Sequence, residues 1–289
     1  MKPEIKEAVK EIRSDHKRGA RQLALATLEA LRTVAPECSG EEFRECARAL
    51  ALARPMMAAT QNAVARAWSR YLDTADAPQA VDDIIELIQT APDGMAASAR
   101  RVVPTDTLMT YSYSSSVIEL LGRLKPRRVI VSEARPAGEG LRMARELVAL
   151  GISMTLITEA QIALFVQEVD AVVVGADTIL PEGDLINKIG TRLLALAAKD
   201  SEIPLYSISE TLKVHAPSEP IPFTAEEGKW EEVCGEKWLE VRNVYFEMTP
   251  ARLVTAYVTE TGLLDPSEVG RFADEAEKRW RALMNSHEA

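Results

Sequence analysis

The chain reads as an α/β protein: an N-terminal helical domain followed by a Rossmann-like, doubly wound and mostly parallel sheet domain. Three observations predict this. Residues up to about 100 place apolar side chains at helical spacing, with no useful run of period-two alternation. From Asp106 onward, short apolar runs alternate with helical segments, the succession that builds a parallel sheet. Val172-Val173-Val174 is an unbroken β-branched run that suits a strand covered on both faces. The 289 residues are enough for two domains, expected at 1–103 and 104–289.

The helical part follows in order. Met1 to Glu4 opens a charged helical pattern, and Ala20, Leu23, Ala24, Leu28 and Leu31 share one helical face. A second helix fits Glu41 to Leu52. A third runs from about Pro55, acceptable at a first helical position, to about Tyr71. A fourth spans about Gln79 to Thr90 and stops near Pro92-Asp93-Gly94.

In the second part, strands are expected at Leu108 to Tyr111, Arg128 to Ser132, Ile152 to Ile157, Val172 to Val174 and Leu205 to Ser209. Helices are expected at Ser115 to Leu124, Gly138 to Leu150 and Ala160 to Val166. Tyr245 to Thr249 reads as a strand, with Pro250 opening a helix to about Thr259. A last helix runs from about Pro266 to Met284.

The segment after Val174 concentrates polar groups. Gly175 permits a sharp turn, and Asp177 follows at the strand's carboxyl end, the edge where open α/β sheets bind ligands. Gly183-Asp184 is a turn and a candidate N-cap. Ile186, Ile189, Leu193 and Ala197 then fit one helical face. That places Asn187 and Lys188 in a first helical turn, where backbone N–H groups and the dipole favour an anion. Arg18-Gly19-Ala20 and Arg54-Pro55 each set an arginine just before a helix. Such an arginine is commonly a surface residue, yet its fork of donors also suits a phosphate.

Composition narrows the function. A net charge of −10 argues against a general nucleic-acid binder. No run approaches the length of a membrane span, and no apolar signal core follows Met1. Cys38, Cys46 and Cys234 have no metal-ligand spacing, and Cys38 and Cys46 read as reduced, partly buried residues of a cytoplasmic protein. His16, His215 and His287 are too scattered for a metal site. Gly138-Glu139-Gly140 opens a helix after a strand, but Met143 stands where a dinucleotide fingerprint needs a small residue, and no Walker lysine motif occurs. No metal or cofactor is expected.

The string from Gly175-Ala176-Asp177 through Gly183-Asp184 to Asn187-Lys188 and Gly190-Thr191 resembles a signature of one family. That family unites methylthioribose-1-phosphate isomerases, ribose-1,5-bisphosphate isomerases and the regulatory subunits of translation initiation factor 2B. The resemblance extends from about Asp15 to Pro266. It implies that Arg18, Gly19, Ala20 and Arg54 hold a substrate phosphate, although Met56 stands where the isomerases often carry threonine. It implies that Asn187 and Lys188 bind sugar oxygens or a second phosphate, and that Asp177 is an acid/base. Glu133-Ala134-Arg135-Pro136 resembles a further family signature, with a structural or a ligand role equally open.

The departure lies at Thr110-Tyr111-Ser112-Tyr113, where the isomerases carry a catalytic cysteine and this chain has Ser112. A thiol with a pKa near 8.5 can be tuned to acid/base work, whereas a serine hydroxyl needs a base to activate it. Two functions therefore stay open: an aldose–ketose isomerase of a phosphorylated sugar using Asp177 and Ser112, or a non-catalytic regulatory subunit or metabolite sensor. The resemblance implies at least a homodimer. The segment from His215 to Glu240, with Trp230 and Trp238, is open between an oligomer contact and a lid.

Overall fold

The computed structural model describes residues 2–15, 18–54, 57–216 and 227–285. They fall into two compact units, each described by itself. The helical unit comprises Met1–Ala91, Thr211–Ile221 and Gly270–Ala289, and the sheet unit Pro92–Glu210 and Pro222–Val269. Relative to a single cut after residue 103, packing moves the boundary into a helix at Pro92 and assigns two later segments to the helical unit.

In the helical unit, α1 (Pro3–Ser14), α2 (Ala20–Val34), α3 (Gly40–Ala51) and α4 (Ala58–Thr74) pack around one core with Phe43, Leu28, Leu31 and Val64 fully buried. The capping box of α3 is complete: Ser39 Oγ accepts from Glu42 N, and the Glu42 carboxylate accepts from Ser39 N at 2.8 Å. Pro55, the expected start of α4, lies outside the described residues; α4 is described from Ala58. Side-chain donors explain why the later segments join this unit. Asn62 Nδ2 donates to Leu212 O and Val214 O at 2.8 and 2.7 Å. Trp68 Nε1 donates to Ala282 O, and Arg44 Nε to Leu283 O, both at 3.0 Å. Those last carbonyls belong to α10 (Val269–Met284), whose C-terminal end would otherwise leave them unpaired.

The fourth expected helix does not stop at Pro92. Helix α5 runs Ala77–Ala99 with Pro92 inside it. The apolar period simply continues: Met95, Ala96 and Ala99 are buried in the sheet unit's core. Gly94 lets the helix approach a backbone, since a Cβ there would lie 2.5 Å from Glu260 O.

The sheet unit follows the expected alternation: β1 (Thr107–Thr110), α6 (Ser115–Leu124), β2 (Arg128–Ser132), α7 (Glu139–Ala149), β3 (Ser153–Ile157), α8 (Ile162–Phe165) and β4 (Ala171–Val174). Val172, Val173 and Val174 are fully buried, each contributing about 1.5–3 kcal/mol relative to exposure. Next come β5 (Thr178–Ile179), β6 (Leu185–Lys188), α9 (Thr191–Asp200), β7 (Leu205–Ile208), β8 (Phe246–Thr249), β9 (Ala256–Thr259) and β10 (Gly262–Leu264). Seven strands form one sheet in the order β10-β9-β7-β4-β1-β2-β3, parallel except at β9–β10. The order reverses between β1 and β4, which makes the carboxyl ends of those two strands the topological switch point.

Two elements differ from expectation. Residues 185–188 are not a helix start but β6, the centre of a small antiparallel sheet β5-β6-β8. Gly183, at φ +84°, turns the chain back on itself, and Leu180 N donates to Asp184 O to close the hairpin. The helix starts at Thr191, so its buried face is Thr191, Leu194, Ala195 and Ala198, while Leu193 is half exposed. The second difference follows Pro250. A single helical turn, Ala251–Leu253, leads into β9 rather than a long helix, consistent with the β-branched and aromatic residues from Val254 to Thr259.

Helix α7 lies close against β2 because residue 140 is glycine: a Cβ there would stand 1.8 Å from Ser132 O. Gly140→Ala is therefore expected to destabilise the protein by about 2 kcal/mol or more, since overpacking against backbone cannot relax by a rotamer change. Urea unfolding measures it, and an unchanged midpoint would show that α7 is free to lift from the sheet.

Candidate active site at the sheet's carboxyl edge

Ser112 and Asp177 emerge from the two strands that flank the switch point. Ser112 follows β1 with φ +61°, a left-handed conformation uncommon outside glycine. Asp177 follows β4, half buried, with its N–H donating to Ile186 O at 3.0 Å. The two loops approach closely: a Cβ on Gly175 would lie 2.5 Å from Ser114 Oγ, and one on Gly190 would overlap the Tyr111 ring and hydroxyl.

Ser112 Oγ donates to Glu139 Oε2. Glu139 stands in the first turn of α7, presented there by Gly138 at φ +67°. Its other oxygen, Oε1, accepts from Lys188 Nζ at 3.3 Å. The Lys188 side chain is only 8% exposed, so its ammonium requires neutralisation where it stands. It also lies 4.6 Å from the centroid of the Tyr245 ring. The Tyr245 hydroxyl donates in turn to Glu232 Oε2, which also accepts from Asn243 Nδ2 at 3.0 Å. Neighbouring Asn187, on the opposite face of β6, donates from Nδ2 to Thr191 Oγ1 at 3.0 Å.

The N-terminus of α9, the expected anion site, carries the protein's own anion. Glu247 Oε1 accepts from Gly190 N at 2.6 Å and Arg192 N at 2.9 Å. Tyr111, fully enclosed beside these groups, has its phenol pushed up by burial and then by the carboxylates of Glu159, Glu247, Glu139 and Glu133. It stays protonated across the physiological range. Arg135 Nη2 donates to Val233 O at 2.9 Å.

The remaining sequence candidates belong to the helical unit. Arg18 is clamped by two carboxylates: its Nε pairs with Asp15, its Nη2 lies 2.5 Å from Glu11 Oε1, and its N–H donates to Asp15 Oδ1 at 3.0 Å. It lines a cavity of about 440 Å³ with Glu11, Glu29 and Thr33. Gly19 is the N-cap of α2, with no side-chain cap there and open space where a Cβ would be; Ala20 is the first helical residue. Arg54 Nη1 donates to Arg13 O at 3.2 Å. Pro55, Met56 and His16 lie outside the described residues, as does His287. Among the described residues no cluster of His, Cys, Asp or Glu has metal-binding geometry, and no helix is long and apolar enough to cross a membrane.

Glu139, Tyr245 and Glu247 were not singled out from sequence. The first-turn position of Glu139 after a sheet strand was a usable signal for that residue. The other two depend on β6 and β8 pairing, with Lys188 opposite Phe246 and Asn187 opposite Glu247.

A doubly wound sheet with a carboxylate–ammonium pair at its carboxyl edge defines the class: an α/β protein with a Rossmann-like sheet domain. The chain belongs to the Initiation factor 2 subunit family, whose family model matches residues 16–266. A Pyrococcus abyssi relative named as translation initiation factor eIF-2B subunit 2-like is 31% identical over 275 residues, covering 91% of this chain and 96% of its own. The ribose 1,5-bisphosphate isomerase of Methanocaldococcus jannaschii is 32% identical over 284 residues, covering 91% and 92%. The solved structure of the Pyrococcus horikoshii translation initiation factor eIF-2B superposes with a TM-score of 0.77 at 30% identity, covering 92% of this chain and 98% of that one.

The Glu232 carboxyl sits below the usual carboxylate range, chiefly through the Tyr245 hydroxyl and then through Asn243. A carboxylate depressed in this way stabilises the fold above its unfolded pKa, and that contribution is lost as pH falls through the folded value. Tyr245→Phe removes the largest cause, so the Glu232 titration should move upward. Carboxyl-carbon NMR across an acid titration reads it; an unmoved Glu232 would separate it from Tyr245.

Proposed function

We propose that this protein binds a phosphorylated sugar at the carboxyl edge of β1 and β4 and isomerises it from aldose to ketose. The observation that supports this most is the hydrogen-bonded chain from Ser112 through Glu139 to Lys188. It supplies the base that a serine in the cysteine's position needs.

In a sugar 1-phosphate the C1 oxygen is esterified, so isomerisation breaks the C1–O4 ring bond: O4 gains a proton, the C2 hydrogen moves to C1, and the C2 hydroxyl loses its proton to become the ketone, with no net change in atoms. In the proposal Asp177 takes the proton from carbon and returns it to the neighbouring carbon. Ser112 relays the oxygen proton to and from Glu139. Lys188 pairs with Glu139 in the resting site and contacts sugar oxygens; the family resemblance assigns Asn187 to the same ligand, although it stands on the opposite face of β6 beside Thr191. Arg18, Gly19, Ala20 and Arg54 are assigned to phosphate by the family resemblance; Arg18 then exchanges Glu11 for the phosphate. Assembly as a homodimer or larger and residence in the cytoplasm belong to the same proposal.

A second reading rests on Ser112 itself. Its replacement of the isomerases' cysteine favours a non-catalytic regulatory subunit or metabolite sensor, in keeping with the relatives named as initiation-factor subunits.

Phosphorus NMR with ribose 1,5-bisphosphate and with methylthioribose 1-phosphate decides between them. Conversion by the native protein and none by Asp177→Asn is the expected result. Line broadening without conversion would establish the sensor. Full turnover by Asp177→Asn would remove Asp177 from the acid/base role.

A further inference from the structure

The carboxyl edge of the sheet unit is acidic, and the Lys188 ammonium is already committed. Lys188 pairs with Glu139 at 3.3 Å and lies against the Tyr245 ring rather than in open solvent. Asp177 stands on the adjoining loop. The one helix N-terminus that faces this edge after β6 is filled by Glu247. Burial and then the carboxylates of Glu159, Glu247, Glu139 and Glu133 push the Tyr111 phenol up.

A phosphate dianion placed at Lys188 would meet Glu139 at close range, and like charges in a partly desolvated site repel strongly. A hydroxyl or thioether meets no such penalty, and a hydroxyl can donate to Glu139.

We infer that Glu139 makes this a site for sugar monophosphates: the part of the sugar that meets Lys188 is uncharged, and a bisphosphate is disfavoured by the Glu139 carboxylate. The inference deepens the proposed function and rests on its sugar-phosphate reading. Glu139 acts as a specificity-determining residue because its charge cancels the cation that a second phosphate requires.

The test is the ligand-induced rise in thermal midpoint across a concentration series, which yields apparent affinities whether or not the ligand turns over. The probes are methylthioribose 1-phosphate and ribose 1,5-bisphosphate, with native protein and with Glu139→Gln. The native protein should bind the monophosphate at least about tenfold more tightly. Glu139→Gln, which frees Lys188 while retaining an acceptor for Ser112, should narrow that gap by about tenfold or more. A native protein that binds the bisphosphate equally or better overturns the inference and leaves the sugar-phosphate reading standing. A native preference that Glu139→Gln does not narrow overturns the role of Glu139. Should the variant fail to fold, the native comparison still decides. If neither compound raises the midpoint, both the inference and the reading beneath it fall.

Discussion

A buried ammonium must be neutralised where it stands, and Lys188 sets that requirement for the whole carboxyl edge. Its side chain is 8% exposed, and removing an ion from water costs several kcal/mol unless a partner offsets it. Glu139 is that partner, and its arrival depends on α7 seating its first turn on β2. Gly138 provides the left-handed entry and Gly140 the close approach to the Ser132 carbonyl. The aromatic face comes from Tyr245, brought alongside when β8 pairs with β6. The three-stranded sheet is therefore more than an insertion: it carries the lysine on one strand and places the ring beside it from the start of the next.

The doubly wound order supplies the second constraint. Because β1 and β4 are neighbours while their following helices leave in different directions along the chain, their carboxyl ends open side by side. Ser112 and Asp177 come from segments more than sixty residues apart and gain a common edge only through that topology. The strained φ of Ser112 fits the same picture: the chain must turn abruptly at the end of β1 to present the hydroxyl to Glu139.

Most of the sheet unit was legible because buried parallel strands announce themselves as unbroken apolar runs, as Val172-Val173-Val174 does. The misreadings have specific causes. Ile186, Ile189 and Leu193 recur at a spacing that a helix would use, and β6 is only four residues long, too short for its own period to show. Pro92-Asp93-Gly94 reads as a helix stop, yet the apolar period on either side persists and the helix keeps it. The place of α10 depends on Trp68 and Arg44 reaching carbonyls more than two hundred residues away, which leaves no local trace. For the site, Ser112, Asp177, Asn187 and Lys188 were visible as motif positions, whereas Glu139 gains its meaning only from partners 27 and 49 residues distant.

The N-terminus of α9 shows how sound physics can lead to the wrong ligand. Exposed N–H groups and a helix dipole do attract an anion, and one is present, but it is Glu247 of the chain itself. Once a protein fills that position internally, phosphate recognition falls to side-chain cations, and each cation counts only to the extent that it is not already paired. By that measure Arg18 and Lys188 are unlike. Arg18 is about one-third exposed and its Glu11 partner two-thirds exposed, so exchanging Glu11 for another anion there costs little while the mostly buried Asp15 stays in place. Lys188 and Glu139 form a pair with the ammonium enclosed, and separating them leaves a charge with no water to receive it. Burial, more than the count of positive residues, therefore distinguishes a cation available to a ligand from one already spent on the fold.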